Sequence, residues 1–150
     1  MSKESNDKPL SQSLGRMIFE VFRLNGRLLA AGDDLVSGLG LSSARWQVLW
    51  AIDMARAPEP VAHLARAMGL NRQGVQRIVN ELEGEGLVAF RDNPNHLRAK
   101  LVEMTDKGRE AYAEADRLRR PWLAALADGQ TAEDIEAALR VMASVRQRLE

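Results

Sequence analysis

A chain of 150 residues and 16.7 kDa, 45% apolar and 28% charged, has the size and balance of one ordinary soluble domain. The lack of cysteine excludes disulfide frameworks, thiolate-bound zinc, thiol catalysis and thiol redox sensing, and an aromatic content of 5% argues against a sandwich or barrel core. The net charge is zero but unevenly spread: Met1–Pro60 carries seven basic and seven acidic residues and 101–150 eight and ten, whereas Val61–Asn80 carries Arg66, Arg72, Arg77 and His63 with no acid. That segregation creates a local positive surface, and local potential is what a phosphate backbone meets within a Debye length of about 8 to 10 Å. The neutral total predicts modest nonspecific DNA affinity that salt weakens strongly.

The opening MSKESNDKPLSQS is polar and mixed in charge, without the apolar core of a signal peptide, and no later run approaches the roughly 18 apolar residues of a membrane span. Residues 1–10 therefore read as a disordered tail, and the protein as soluble and cytoplasmic with no membrane partner. Leu14, Met17, Ile18, Val21, Leu24 and Leu28 then recur at helical spacing, giving a first helix over 11–32 that ends near Gly32. A second helix follows over 41–55, with Ser42 as N-cap and Leu41 and Trp46 placed as a hydrophobic staple. Pro58 and Pro60 bracket a break, Pro60 suits the first turn of a third helix, VAHLARAM, and Gly69 stops it.

Asn71 caps the fourth helix, in which Val75, Ile78, Val79 and Leu82 fall within about 100° of one another and define a buried side. Gln73, Gln76, Arg77 and Asn80 point the other way. Gly86 ends this helix, after which LVAFR, DNPNHLR and AKLVEMT read as strand, basic flexible loop and strand, a β-hairpin. Thr105 caps a long helix in which Pro121 should bend or break the ladder, and TAED at 131–134 opens a last helix whose apolar face runs through Ile135, Leu139, Met142, Val145 and Leu149. Met17, Met54, Met68, Met104 and Met142 read as core fillers.

Two short helices across a glycine turn, followed by a hairpin, are the parts of a winged helix-turn-helix. Ala65 permits a close crossing, and Leu64, Met68 and Leu70 fill the angle with Val75 and Ile78, which leaves the polar face of the fourth helix free for a major groove. Its residue types suit base edges: Arg donates twice to guanine O6 and N7, while Gln or Asn pairs with adenine N6 and N7. Gly74 lowers helix propensity by about 1 kcal/mol against alanine, an offset expected from close approach to a phosphate or to the third helix. Glu81, Glu83 and Glu85 would repel phosphates and limit the groove contact to the first two and a half turns.

The run LARAMGLNRQGVQRIVNELEGEGLV, followed by RAKLVEMTDKG, resembles the MarR family of bacterial transcriptional regulators, and the flanking helices match that family's order over nearly the whole chain. The resemblance implies a mainly α fold with a small β-hairpin wing. Residues 41–104 would form the winged helix-turn-helix lobe and 11–32 with 105–150 the dimerisation helices of a single domain over 11–150. It further implies a homodimer that reads a pseudo-palindromic double-stranded DNA operator, typically a repressor released by a small aromatic or phenolic ligand. Arg72, Gln73, Gln76, Arg77, Asn80 and Arg98 are the expected DNA contacts.

Arg98 matches the arginine that enters the minor groove in this family, but the aspartate that usually orients it is replaced by His96. That predicts a looser wing contact, or one sensitive to pH, since histidine is the side chain that changes charge near pH 6.5. Trp46 and Trp50, four apart on one face, read either as core or as the edge of the ligand cavity.

No GxSxG, HExxH, phosphate loop or dinucleotide signature supports an enzyme, His63 and His96 do not stand at metal-ligand spacing, and no cofactor is expected. The alternative is a dimeric winged-helix module that binds protein instead of DNA, in keeping with zero net charge and the altered wing.

Overall fold

The computed structural model describes residues 4–150, with side chains from Pro9 onward. The elements are α1 (Glu4–Val36), a 3-10 turn (Ser37–Leu39), α2 (Ser43–Met54), β1 (Glu59–Pro60), α3 (Val61–Met68), α4 (Arg72–Gly84), β2 (Val88–Arg91), β3 (Leu101–Met104), α5 (Asp106–Ala127) and α6 (Ala132–Gln147). They form two compact units, residues up to Ala115 and Asp116–Glu150, with the boundary inside α5. Among the described residues no helix is long and apolar enough to cross a membrane.

The first helix exceeds its expected limits at both ends. Residues 4–10 of the expected tail are helical, because each residue added to a nucleated helix gains a ladder bond; residues 1–3 lie outside the described residues. At the other end Gly32 does not stop the helix. A Cβ there would collide with Ser43 Oγ, which donates to the Leu29 carbonyl at 2.6 Å, while the Ser43 N–H donates to Asp33 Oδ1 at 2.6 Å. The glycine marks the close approach of α1 to the start of α2. Ser42 caps α2 as expected, and Leu41 and Trp46 are both buried.

The sheet has three antiparallel strands in the order β1-β3-β2, one more than the expected hairpin. Glu59 faces Val102 and Pro60 faces Leu101, a strand too short to leave a periodic signal; as an edge residue, Pro60 loses nothing by lacking an N–H. Around this sheet the core gathers Val48 and Leu49 of α2, Leu64 and Ala65 of α3, Val75, Val79 and Leu82 of α4, and Val102 of β3.

Thr105 caps α5, accepting from the Gly108 N–H at 3.1 Å and donating to the Gly86 carbonyl at 2.6 Å. Contrary to a break at Pro121, α5 runs unbroken through it, since one lost bond in 22 residues leaves the rest of the ladder in place. In α6, Thr131 accepts from the Asp134 N–H at 3.1 Å, but the shorter aspartate takes the Thr131 hydroxyl at 2.7 Å where a glutamate would reach the cap's own N–H. The methionines do not share one role. Met104 is buried and Met17 and Met68 half-buried, whereas Met54 and Met142 are exposed, because Met54 lies on the side of α2 turned from the core and α6 buries no residue.

Candidate nucleic-acid interface

The helix-turn-helix is set by its turn. Gly69 adopts φ +66°, its N–H bonds the Arg66 carbonyl at 3.1 Å, and the Leu70 N–H bonds Ala65 at 2.9 Å, a paired arrangement that ends α3 and starts the chain toward α4. Leu70 itself is half-exposed and does not fill the interhelical angle, since its backbone closes the motif while its side chain faces out. Asn71 then caps α4, its Oδ1 accepting from the Gly74 N–H at 2.7 Å. That bond supplies part of the reason for glycine at 74: a Cβ there would press on Asn71 Oδ1 at 3.2 Å, and the three atoms nearest to it all belong to Asn71 and none to the third helix.

Val75, Val79 and Leu82 are fully buried and Ile78 partly so, which turns Arg72, Gln73, Arg77 and Asn80 to solvent with Gln76 half-buried beside them. These five, with Glu81, line one shallow groove along α4. Gln76 Nε2 donates to Asn80 Oδ1 at 2.9 Å, which fixes the two amides and leaves the Gln76 oxygen and the Asn80 amino group as an acceptor and donor facing outward. No ion pair engages Arg72, Arg77 or Arg98 among the described residues.

A second groove, of about 670 Å³, joins this face to the wing. Arg72, Gln76 and Asn80 of α4 meet His96, Arg98 and Lys100 across it, with no acid in its lining. Lys100 was not among the expected contacts; the signal for it was its place two residues after Arg98 in the basic loop. The loop, read as flexible, carries hydrogen bonds of its own. Asn93 Nδ2 donates to the Ala99 carbonyl at 3.0 Å, and the Ala99 N–H is shared between the His96 carbonyl at 3.2 Å and His96 Nδ1 at 3.1 Å. His96 thus supplies an acceptor to the turn that presents Arg98.

The acids on the exit end of α4 are engaged from α2. Arg45 Nη1 donates to Glu85 at 2.7 Å, and Arg45 Nε and Nη2 each approach Glu81 at 3.4 Å. Desolvation works against the Arg45 charge, but the bonds and charges of Glu85 and Glu81 outweigh it and raise the pKa.

The two tryptophans separate. Trp46 is buried in the core, and only Trp50, 41% exposed, lines a groove of about 610 Å³ between α2 and α3. Met54, Met68 and Leu64 supply further apolar walls, and a polar edge comes from Gln47 and from His63, whose Nδ1 lies 2.6 Å from Glu59. Trp46 thus takes the core reading, and Trp50, one turn further along α2, takes the reading of a groove edge. No group of three or more potential metal ligands occurs among the described residues.

A MarR family model matches residues 39–99, and a protein of Mycobacterium tuberculosis is 37% identical over 100 residues, 67% of this chain and 68% of its own. The chain belongs to the MarR family. Solved MarR-family folds superpose over nearly all of it. A mutant of MarR from E. coli complexed with operator DNA aligns at TM-score 0.73 with 26% identity, covering 89% of this chain and 93% of that one. CouR from Rhodococcus jostii RHA1 bound to p-coumaroyl-CoA aligns at 0.77 with 22% identity over 97% and 95%. The repressor CouR bound to a 23-mer DNA duplex aligns at 0.74 with 24% identity over 97% and 99%.

Proposed function

We propose that this MarR-family protein is a homodimeric, sequence-specific DNA-binding regulator that represses its target and is released by a small aromatic ligand. The observation that carries the reading is the acid-free groove in which Arg72, Gln76 and Asn80 of α4 meet Arg98 and Lys100 of the wing. Arginine and amide groups match the donor and acceptor pattern of the major groove, while the wing arginine would reach the adjacent backbone or minor groove. The operator complex of E. coli MarR and the duplex complex of CouR support this use of the same fold. Two copies of α4 would stand about 34 Å apart to meet successive major grooves on one side of the duplex.

Release by a ligand is supported by the Trp50 groove and by the CouR complex with p-coumaroyl-CoA. A ligand there touches both α2 and α3, and it weakens DNA binding only by its differential affinity for the DNA-competent and incompetent shapes. Absence of catalytic motifs is consistent with a binding role alone.

The test is anisotropy on a duplex that the protein selects from a random pool. Arg77→Ala should bind at least about tenfold more weakly, one bidentate base contact per half-site being worth roughly 1 to 3 kcal/mol, while sedimentation shows the same dimer. Unchanged affinity removes Arg77 from the reading. Failure of the wild type to retain any duplex at low salt favours the alternative, a dimeric module that binds protein.

A further inference from the structure

Among the described residues, the bridge from Arg45 to Glu81 and Glu85 is the one inter-helix ion-pair cluster that touches the reading helix. Glu81 is not remote from DNA recognition: it lines the same groove as Arg77 and Asn80. Glu83 and Glu85 follow within one turn and are exposed, so the exit end of α4 carries three carboxylates in five residues, the first of them in that groove. Like charges at such a surface repel even in bulk water, and more strongly where solvent is excluded.

Two cations from other elements oppose this run. Arg45 reaches from the first turn of α2, its side chain only 22% exposed, and meets both half-exposed glutamates. Lys107, in the first turn of α5, donates from Nζ to the Glu85 carbonyl at 2.8 Å, at the negative end of the α4 dipole. Arg45 meets the reading groove only through Glu81, at its edge.

We infer that Arg45 is a positioning residue for operator recognition, offsetting one of the two phosphate-repelling charges of Glu81 and Glu85 and thereby setting how far α4 enters the major groove. The inference rests on DNA binding through α4. Its consequence is that the groove contact extends toward Glu81 instead of ending before the acids begin. With Arg45 in place, the two carboxylates hydrogen-bond to a guanidinium; without it they face DNA as free anions. A purely mechanical strut would matter equally at every ionic strength, whereas charge cancellation matters most where screening is weakest.

The experiment compares Arg45→Met, which keeps the apolar stem, with the triple variant Arg45→Met, Glu81→Gln, Glu85→Gln, both as full-length protein on a duplex selected by the wild type from a random pool. Arg45→Met should bind about threefold to tenfold more weakly at low salt, and the gap should close as salt rises. The two glutamines should restore binding to within about twofold of wild type, since they remove the charges that Arg45 opposes. Wild-type affinity in Arg45→Met, a deficit that persists at high salt, or one that the glutamines leave in place overturns the inference. A wild type that selects no duplex overturns DNA binding itself, an outcome separate from the other three.

Discussion

His96 occupies the wing turn as an acceptor, its Nδ1 taking the Ala99 N–H at 3.1 Å. An asparagine at 96 retains a short acceptor in reach of the Ala99 N–H, and an alanine removes it, leaving only the backbone carbonyl of His96. His96→Asn should therefore hold duplex affinity within about twofold of wild type, while His96→Ala falls about threefold to fivefold, the worth of one modest hydrogen bond that orders the loop before binding. Equal affinity of the alanine variant, read by anisotropy, would show that the turn orders itself. Single residues of this kind were partly legible. The departure at 96 stood out in the sequence, and so did the outward set on α4, because a 3.6-residue period fixes which side is buried. Gly108 was not legible: its role depends on the carbonyl of Leu87, with which an added Cβ would overlap, and on the Thr105 N–H that donates to that same carbonyl at 3.1 Å. Contacts between residues so far apart in the chain leave no local pattern.

Elements longer than two turns were read correctly in kind, and the misreadings cluster where local signals compete with tertiary contact. Gly32 resembled a stop and serves as a close-approach site; Glu59 and Pro60 form a strand only because β3 supplies a partner. Pro121 allowed a break as well as a bend, and the helix stays continuous, with local order just ahead of it. Asp116 accepts from Arg119 Nε at 3.1 Å and from Arg120 Nε at 3.0 Å, with a further short contact to Arg119 Nη2. Those bonds from Arg119 and then Arg120 outweigh desolvation and hold the Asp116 pKa below its ordinary value. A depressed folded-state pKa means that the contribution is complete above the unfolded value of about 3.9 and is lost as pH falls through the folded one. Asp116→Asn should thus lower the thermal midpoint relative to wild type at neutral pH, and the two curves should converge as the solution is acidified below about pH 4. Parallel curves across that window in circular dichroism would assign no stabilising role to the cluster.

At the scale of the whole molecule, α1 and α6 each expose apolar residues at helical spacing. Leu14, Ile18, Val21 and Leu28 on one stripe of α1 are 36%, 37%, 39% and 41% exposed, and Ile135, Leu139 and Met142 on α6 are 48%, 50% and 41% exposed. Isolated apolar residues at a surface require no explanation, but a stripe sustained over four turns marks an interaction site. The second copy of the chain proposed above would cover that stripe and would also account for the reading helix, because two half-sites bound by one rigid dimer add their free energies, whereas a single lobe has only one. Leu14→Glu with Val21→Glu places two charges in that stripe without lowering helix propensity appreciably. The variant should sediment as a monomer at concentrations where the wild type is a dimer, and its affinity for a two-half-site duplex should fall by more than about tenfold. On a duplex carrying one half-site the loss should be far smaller, since α3, α4 and the wing keep their core. A variant that stays dimeric, or that loses half-site and full-site binding alike, would place the subunit contact elsewhere. The distinction matters for regulation, because a ligand in the Trp50 groove can act on DNA through α3 within one lobe, through the spacing of two lobes, or through both, and only the monomeric variant isolates the first route. If that variant's half-site binding still weakens when the ligand is added, the signal passes from α2 to α3 directly; if it does not, release depends on the dimer holding its two reading helices at a fixed separation.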